Sequence, residues 1–521
     1  MPSRMIRKLL IANRGEIAVR IMRTCKEMDI STIAIYSDAD RAMVHVRLAD
    51  EAYRVGPPPS RESYLAMENI LEVAKKAGAD AIHPGYGFLS ENEQFARRVE
   101  EEGLIFVGPR PDSIRSMGDK TEARKLAAKA SVPIVPGTED AVTKEEEARA
   151  ACSQLQFPVL IKAAAGGGGK GMRIVHKEEE LPSALRAAQS EAMSSFGDAR
   201  VYVEKYLEQP RHIEFQILAD QHGNTIHLGE RECSIQRRHQ KVIEESPSVI
   251  VDDTLRRTMG ETAIKVAKAC NYQNAGTVEF LVDKHRNFYF LEMNTRLQVE
   301  HPITEMRTGI DLVAQQLKIA MGEQLPFKQD EIQFNGHAIE CRIYAEDGSH
   351  GFLPSTGKIV HLKPSEGSGI RDDRGVEVGG EISVYYDPMI AKLVAWGGNR
   401  EEAIQRMKRA LREYEILGVR TNIPVNLFVL EHPEFVKGAF DTHFLSDYFR
   451  PELLAAPSEE QLRAASLVSA MLYDRERQDI RGSQFQTSSQ VARSSVQDDR
   501  QLRNQIRESS WKSRRISFLR S

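Results

Sequence analysis

Long hydrophobic runs, paired cysteines and an excess of charge of one sign are all missing from this sequence of 521 residues. No run of 18 uninterrupted apolar residues occurs, so we expect no membrane-spanning helix. The five cysteines include no C-x-x-C pair, which argues against structural zinc and disulfides and predicts reduced thiols in a cytoplasmic protein. Lys and Arg total 71 against 75 for Asp and Glu, a balance that does not indicate a nucleic-acid-binding protein.

The basic start of the chain, MPSRMIRK, does not have the pattern of a signal peptide. The apolar run Leu9–Ala12 is too short for a signal core, and polar residues follow it at once. We interpret this run as the first strand of a folded domain. At about 150 residues per domain, the length predicts three to four domains.

Short apolar runs alternate with helical patterns between Lys8 and Val107. This alternation predicts a parallel sheet with crossover helices. Two polar segments, residues 13–16 and residues 83–92, follow predicted strands. Because such sheets bind ligands beyond the carboxyl ends of their strands, both segments are candidates for a binding edge. Ordinary strand-to-helix turns are the alternative.

Pattern and composition divide the whole chain into predicted parts. These are an α/β domain of residues 1–115, a mixed helix and strand region of residues 116–335, an α+β domain of residues 336–450 and a polar tail of residues 451–521. The tail is rich in Ser, Gln and Arg, so we expect it to be flexible apart from one helix near residues 462–472.

Four consecutive glycines, Gly166–Gly169, stand between two predicted strands in FPVLIKAAAGGGGKGMRIV. Glycines let backbone amides approach an anion closely, and Lys162 and Lys170 flank them with positive charge. The segment is not a P-loop, because Ala164 and Gly171 stand where that motif requires Gly and Ser or Thr. A flexible linker is the alternative, but the strands and lysines favour a mobile lid over nucleotide phosphates.

Two strand patterns, TVEFLV and FYFLEM, predict an antiparallel hairpin. A four-residue connection would pair Asp283 with Phe288, which places Glu279 opposite Glu292. Facing carboxylates lie about 5 Å apart at Cβ and repel each other unless a cation or a shared proton compensates. The hairpin therefore predicts a Mg²⁺ site that also takes phosphate oxygens. A register shifted by one residue, with both acids solvated, is the alternative.

Polar residues occupy every second position after this hairpin: Glu292, Asn294, Arg296, Gln298 and Glu300. In an extended chain this spacing places all five side chains on one face. Such a face could hold a small anion beside the γ-phosphate of a nucleotide and deprotonate it. A solvated surface strand is the alternative.

The segment RECSIQRRHQKVIEESP, residues 231–247, is dense in Arg, Lys and His. Alone it could be a nucleic-acid patch or a solvated loop. Beside a phosphate site, however, His239 and Lys241 could neutralise charge on a transferred phosphoryl group. His212, in the strand pattern HIEFQIL, would be structural if it stood alone.

Taken together, these motifs resemble the ATP-grasp superfamily and, more closely, biotin carboxylase. The resemblance covers about residues 4–450 and is carried by FPVLIKAAAGGGGKG, FLEMNTRL, HPGYGFLSEN, RRHQKVIEESP, EMNTRLQVEHPITE and ECRIYAED. It implies a Rossmann-like N-terminal domain, an ATP-grasp domain with a mobile lid at about residues 132–204, and an α+β C-terminal domain. The implied activity is ATP-dependent carboxylation of biotin by bicarbonate through carboxyphosphate, with Mg²⁺ or Mn²⁺ at two sites.

The resemblance also implies roles for individual residues. The metals would be bound by Glu279, Glu292 and Asn294. Arg342 would stabilise the enolate-like ureido oxygen of biotin, with Tyr86 close to the biotin pocket. The residues implied for ATP are Lys120, Lys162, Gly166, Gly167, Gly168, Gly169, Glu204, Lys205, Leu207, His212, Gln236 and His239. Those implied for bicarbonate are Lys241, Arg296, Gln298, the Val299 backbone and Glu300, which would act as the base. The implied catalytic residues are Lys241, Arg296, Glu300 and Arg342.

No biotin attachment sequence of the Met-Lys-Met type and no recognisable carboxyltransferase domain occur in this sequence. We therefore expect biotin on a separate biotin carboxyl carrier protein or domain, and a further partner that is a carboxyltransferase subunit. The family also implies a homodimer. The polar tail resembles the longer subunits of some two-subunit pyruvate or acyl-CoA carboxylases.

Two other functions are alternatives. One is a different carboxyphosphate-forming ATP-grasp ligase, such as an aminoimidazole ribonucleotide carboxylase, against which Arg342 and the RRHQK segment argue. The other is a catalytically silent nucleotide-binding subunit. Such a protein has no chemical need for the set of Glu279, Glu292, Arg296 and Glu300.

Overall fold

A computed structural model describes residues 4–138, 140–164, 171–454, 463, 466–471 and 473–474. These residues belong to two compact units, one ending at Leu454 and one beginning at Ala455. In the second unit, residues 466–471 are helical, within the predicted helix, and the chain after residue 474 lies outside the described residues. Across the described ranges, no helix has both the length and the apolar character needed to cross a membrane.

The N-terminal part alternates strands and helices, which confirms the predicted parallel sheet. Its elements are β1 (Lys8–Ile11), α1 (Gly15–Glu27), β2 (Ser31–Ser37), α2 (Val44–Leu48), β3 (Glu51–Gly56), α3 (Met67–Ala77), β4 (Ala81–His83), α4 (Glu93–Glu101), β5 (Ile105–Phe106) and α5 (Pro111–Gly118). The strand order is β3-β2-β1-β4-β5, with all pairs parallel. Strand β3 was not predicted, because most of its side chains are partly exposed and form no apolar run.

Both faces of this parallel sheet are covered. Leu9 and Ile11 pack with Ile17 of α1 in one core cluster, whereas Leu10 packs with Ile70 in another. Burial on both faces explains why β1 is continuously apolar rather than alternating. The two polar segments at residues 13–16 and 83–92 directly follow β1 and β4, at the edge where the prediction placed them.

A small antiparallel sheet occupies the middle of the sequence. The elements of this region are α6 (Lys120–Lys129), α7 (Glu145–Leu155), β6 (Val159–Ala163), β7 (Arg173–Val175), α8 (Leu181–Phe196) and β8 (Val201–Lys205). The strand order is β7-β6-β8. The strands predicted on either side of the glycine loop are β6 and β7, and they pair with each other. Gly166–Gly169 and Lys170 themselves lie outside the described residues.

The rest of the larger unit supplies one long antiparallel sheet and the helices around it. Up to residue 320 its elements are β9 (Arg211–Ala219), β10 (Thr225–Arg237), β11 (Gln240–Ser246), α9 (Asp253–Ala269), β12 (Asn274–Val282), β13 (Phe288–Asn294), α10 (His301–Thr308) and α11 (Leu312–Ala320). Further along are β14 (His337–Tyr344), β15 (Glu346–Asp347), β16 (Leu353–Pro354), β17 (Gly357–Lys358), β18 (His361–Lys363), β19 (Ile370–Arg374), β20 (Glu381–Ile382), β21 (Met389–Gly397), α12 (Arg400–Glu413), β22 (Glu415–Leu417), α13 (Ile423–Glu431), α14 (Pro433–Lys437) and α15 (Phe444–Tyr448).

The long sheet runs in the order β13-β12-β9-β10-β11-β14-β21-β19. Its β11 pairs with β14 over four registered positions, so backbone hydrogen bonds continue across residues 335 and 336, where we predicted a domain boundary. The domain limits remain predictions. The helix predicted near residues 401–417 is α12, whose Ile404, Met407 and Leu411 pack into the core behind β14 and β21.

Candidate active site

A cavity of about 1000 Å³ is lined by residues of the parallel sheet's carboxyl edge, the small sheet and the long sheet. From the parallel sheet come Asn13–Ile17 and Tyr86–Phe88. Every predicted site residue that the structure describes lines this cavity, except Glu300. These residues are Tyr86, Lys120, Lys162, Glu204, Lys205, Leu207, His212, Gln236, His239, Lys241, Glu279, Glu292, Asn294, Arg296, Gln298, Val299 and Arg342. The glycines Gly166, Gly167, Gly168 and Gly169 are outside the described residues.

The hairpin of β12 and β13 places Glu279 directly opposite Glu292, as predicted. The register at the turn was predicted wrongly, because Phe288 pairs with Val282 rather than with Asp283. An irregularity between Glu279 and Phe280 in the ladder adds one residue to β13 and restores the predicted pairing. The facing carboxylates therefore result from a five-residue turn and a bulge together.

Glu279 is the acceptor at the centre of a buried hydrogen-bond cluster. Its Oε1 accepts from Lys241 Nζ at 2.8 Å, Asn294 Nδ2 at 2.9 Å and Gln298 Nε2 at 3.1 Å. Its Oε2 lies 2.8 Å from His212 Nε2. Burial alone would raise the pKa of Glu279, but Lys241 and His212 hold it well below its usual range. Glu279 is therefore ionised beside two cationic groups.

Glu292 has a different environment. Its carboxylate makes no hydrogen bond or ion pair with any residue in the described part of the chain, although it lines the cavity. Burial raises its pKa, and the charge of Glu279 raises it further, whereas Lys120 lowers it. An unpartnered, half-buried carboxylate opposite an ionised one suits a hard divalent cation, so these side chains fit the predicted Mg²⁺ or Mn²⁺.

The chain beyond β13 is not the extended strand that the period-two pattern predicted. The strand ends at Asn294, residues 299 and 300 form a turn, and α10 begins at His301. Pro302 in the first turn of α10 favours that start. The polar residues nevertheless converge, because Arg296 donates to Gln298 at 2.9 Å and to Asn294 at 3.2 Å.

Glu300 is fully buried between two cations. Its Oε1 accepts from Lys241 Nζ at 2.7 Å, and its Oε2 accepts from Arg342 at 2.9 Å. Burial alone would raise the pKa of Glu300, but Lys241 and Arg342 lower it below the usual range. Glu300 is therefore a carboxylate at neutral pH and is able to accept a proton.

Lys241 has three carboxylate partners. In addition to Glu279 and Glu300, it donates to Glu214 at 2.5 Å. Burial by itself lowers the pKa of Lys241, but the three carboxylates raise it well above its usual range. Glu214 also accepts from Arg231 at 2.5 Å, and both of these side chains are fully buried.

Glu214 and Arg231 are not among the predicted site residues. The available signal is the alternation of His212, Glu214 and Gln216 in the strand pattern HIEFQIL, which places these polar residues on one face of a strand. In the structure Arg231 also donates to Gln216, at 2.7 Å. This face points into the protein interior instead of solvent, so all three polar side chains are buried.

Arg342 joins Glu300 to a second buried acid. Its Nε donates to Glu244 at 2.7 Å, and Tyr344 lies at 3.5 Å on its other side. Burial raises the pKa of Glu244 to about 7, although Arg342 lowers it.

Arg296, which lines the cavity, donates to Glu91 at 2.9 Å, and Glu91 belongs to the polar segment of residues 83–92. Neither Glu244 nor Glu91 is among the predicted site residues.

The far end of the cavity contains the residues predicted for the nucleotide. Glu204 is ion-paired with Lys162 at 2.6 Å and with Arg124. The ammonium of Lys205 donates to the backbone carbonyl of Gln156 at 3.0 Å. The side chains of Glu204 and Lys205 are thus both bound to protein groups. Arg124 is not among the predicted site residues. Burial lowers the pKa of Lys120.

Family models match three consecutive parts of the chain. Residues 5–114 match "Biotin carboxylase, N-terminal domain". Residues 119–328 match "Carbamoyl-phosphate synthase L chain, ATP binding domain". Residues 340–447 match "Biotin carboxylase C-terminal domain".

Curated relatives and solved structures agree with these matches. A pyruvate carboxylase subunit of Methanothermobacter thermautotrophicus is 52% identical, over 90% of this chain and 96% of its own. Biotin carboxylase 1 of Bacillus subtilis is 54% identical, over 85% and 99%. The biotin carboxylase–βγ-ATP complex from Campylobacter jejuni superposes with a TM-score of 0.83 at 48% identity, over 85% and 99%.

A further solved structure is the biotin carboxylase domain dimer of the Hydrogenobacter thermophilus 2-oxoglutarate carboxylase with MgADP, ADP and bicarbonate. It has a TM-score of 0.82 at 48% identity and covers 85% of this chain and 98% of its own. These matches confirm the predicted fold class, with Rossmann-like, ATP-grasp and C-terminal biotin carboxylase parts. The cavity and its buried carboxylates therefore lie in a chain that belongs to the biotin carboxylase family.

Proposed function

We propose that this chain catalyses the ATP-dependent carboxylation of biotin by bicarbonate, the first half-reaction of a biotin-dependent carboxylase. The observation that carries the proposal is Glu300, a buried carboxylate held ionised between Lys241 and Arg342. It lies in the same cluster as the facing pair of Glu279 and Glu292. A base bound by two cations that line the cavity, together with a metal site and a biotin-side cation in that cavity, are the parts that this reaction needs.

ATP binds at the end of the cavity near the small sheet. Lys120 and Lys162 contact its phosphates. Glu204, Lys205 and Leu207 frame the adenine. The side chains of Glu204 and Lys205 are bound to other protein groups, so their backbone atoms are left to contact the adenine ring. His212, Gln236 and His239 lie nearer the ribose and phosphates.

Glu279, Glu292 and Asn294 hold the divalent metals, Mg²⁺ or Mn²⁺, at two sites. When bound, such ions neutralise phosphate oxygens and orient the nucleotide. The support is the unpartnered carboxylate of Glu292 opposite the ionised Glu279. Lys241 and His212 are paired with Glu279 and not with Glu292, so Glu292 supplies the uncompensated charge that a metal needs.

Bicarbonate binds between Lys241, Arg296, Gln298 and the Val299 backbone, and Glu300 removes its proton for attack on the γ-phosphate. This attack releases ADP and forms carboxyphosphate, which breaks down to CO₂ and phosphate. Phosphate takes the N1′ proton of biotin, and N1′ attacks CO₂ to form carboxybiotin. Arg342 stabilises the negative charge on the ureido oxygen, for which a fixed guanidinium is well suited. Tyr86, which also lines the cavity, borders the biotin pocket.

The biotin is carried by a biotin carboxyl carrier protein or domain, and a carboxyltransferase subunit consumes the product. The chain acts as a homodimer, as the dimeric structure of the Hydrogenobacter thermophilus domain supports. We also propose a cytoplasmic location. Five free cysteines, all buried, support a reducing compartment.

Release of ADP from Mg·ATP, measured with and without bicarbonate and with and without free biotin, tests the function. We expect ADP release to require bicarbonate and to accelerate when biotin is added, because biotin accepts the carboxyl group. ADP release that is independent of bicarbonate would contradict the proposal. So would a bicarbonate-dependent rate that biotin leaves unchanged.

Replacing Glu292 by Gln tests the metal site. The change removes the uncompensated charge of the facing pair, so the Mg²⁺ concentration for half-maximal rate should rise by about 10- to 100-fold or more. Mg²⁺ titrations of ADP release measure it. The matched control is Glu208→Gln, which neutralises an exposed acid paired with Lys284. An unchanged Mg²⁺ dependence of Glu292→Gln would contradict metal binding by the facing carboxylates.

A further inference from the structure

Lys392 is a fully buried lysine on β21 that is not among the predicted site residues. Its Nζ donates to the carbonyl oxygen of Val299 at 3.1 Å and lies 3.1 Å from Oε2 of Glu16. The same ammonium lies 5.7 Å from the centre of the Tyr86 ring. Burying an ammonium costs free energy unless its partners replace the lost water. All three partners lie beside the cavity.

Three consecutive strands of the long sheet each provide one cation to the turn formed by Val299 and Glu300. Lys241 on β11 and Arg342 on β14 bind the carboxylate of Glu300. Lys392 on β21 binds the carbonyl that precedes it. Arg342 and Lys392 are direct partners in the antiparallel ladder, so their side chains stand on the same face. The turn is therefore fixed at its side chain and at its backbone.

We propose that Lys392 is a positioning residue for the bicarbonate step, because it fixes the peptide that joins Val299 to Glu300. The hydrogen bond from Lys392 to the Val299 carbonyl orients the backbone at Glu300. It thereby sets the distance from the Glu300 carboxylate to the bicarbonate. Lys392 itself does not line the cavity and acts through these two residues. The inference rests on the proposed role of Glu300 as the base.

Glu16 determines where the ammonium of Lys392 stands. It lies in the first turn of α1 and is buried, and besides this ion pair its carboxylate oxygens have no hydrogen-bond partner in the described residues. The start of α1 is packed tightly against the chain that follows β19. A Cβ on Gly375 would lie 2.4 Å from the backbone nitrogen of Glu16. Glu16 is thus a fixed anchor, and the ion pair holds Lys392 within reach of Val299.

A purely structural role is the competing explanation, in which Lys392 only balances the buried charge of Glu16. That role predicts lower stability when Lys392 is removed, with no selective effect on one substrate. A positioning role predicts a selective loss at the bicarbonate step. The two explanations therefore predict different effects of removing Lys392 on the KM for bicarbonate relative to the KM for ATP.

The test is Lys392→Met, which keeps the length of the side chain and removes the donor. We expect the KM for bicarbonate to rise about tenfold, since one hydrogen bond from a charged group is lost. The KM for ATP should stay near the wild-type value. The matched control is Arg400→Met, which removes a largely buried cation from Glu245 on the far side of the long sheet. The control should leave both KM values unchanged.

The double variant Lys392→Met with Glu16→Gln separates positioning from charge balance, because it leaves no unpaired buried charge. If Lys392→Met alone shows no cooperative unfolding transition and is therefore not properly folded, the double variant is measured in its place. A raised KM for bicarbonate in the double variant supports the proposal. A wild-type KM for bicarbonate, or an equal rise in both KM values, overturns it. Absence of bicarbonate-dependent ADP release in the wild-type chain would instead refute the proposed function.

Discussion

Replacing Glu300 by Gln is expected to lower bicarbonate-dependent ADP release by about 10²- to 10⁴-fold, the usual contribution of a general base. Gln has nearly the same shape and can accept from Lys241 or Arg342, but it cannot take a proton. Lys241 and Arg342 lower the pKa of Glu300, so the wild-type base is ionised throughout the neutral pH range. Steady-state ADP release at saturating Mg·ATP, followed over bicarbonate concentration, measures the loss.

The control for Glu300→Gln is Glu245→Gln, another fully buried carboxylate that is paired with an arginine. Glu245 accepts from Arg400 at 2.7 Å and contacts His337 at 2.7 Å, and it does not line the cavity. Both variants lose one buried charge, so both should lose some thermal stability. Only Glu300→Gln should lose the bicarbonate-dependent rate. A Glu300→Gln variant that retains the wild-type rate would refute proton removal by this carboxylate.

Replacing Arg342 by Ala is expected to suppress carboxylation of biotin by about 100- to 1000-fold, as loss of a fixed donor to a developing oxyanion does. Much of the slow bicarbonate-dependent ADP release without biotin should remain. Lys241 binds Oε1 of Glu300 at 2.7 Å and is not altered by the substitution, so we expect Glu300 to keep one of its two cations. Carboxybiotin formation and biotin-free ADP release, measured on one preparation, give the two rates.

The control for Arg342→Ala is Arg256→Ala, which removes another arginine that is paired with a buried glutamate. Arg256 donates to Glu230 at 2.8 and 2.9 Å, remote from the cavity lining. It should lower stability and leave both rates unchanged. An equal loss of biotin carboxylation and of biotin-free ADP release in Arg342→Ala would contradict the role assigned to its guanidinium.

Local patterns in the sequence were sufficient to predict the facing carboxylates. Two strand patterns and a short turn constrain the pairing of a hairpin to within a residue, and the repulsion of like charges indicates a cation. The turn proved one residue longer than predicted, and a bulge compensated for it. A bulge depends on the packing of β13 against its surroundings, so the pattern of residues alone does not reveal it.

The supporting residues of the site could not be predicted in this way. The supporting residues lie on three different strands: Glu214, Glu244 and Lys392. They contact Lys241, Arg342 and Val299, respectively, only after the long sheet has formed. In the sequence Glu214 and Lys392 each stand between two apolar residues, whereas Glu244 lies in the charged segment of residues 231–247. Both patterns fit a solvated edge equally well. Periodicity identifies which residues share a face, whereas burial of that face depends on contacts distant in sequence.

The continuity of the long sheet has a mechanical consequence for the two steps of the reaction. Lys241 and Arg342 stand on adjacent strands, β11 and β14, which backbone hydrogen bonds hold about 4.8 Å apart. The spacing between the group proposed to bind bicarbonate and the group proposed to bind biotin is thus set by the stiffness of one ladder. Neither strand belongs to the small sheet, so a displacement of the small sheet would leave this spacing unchanged.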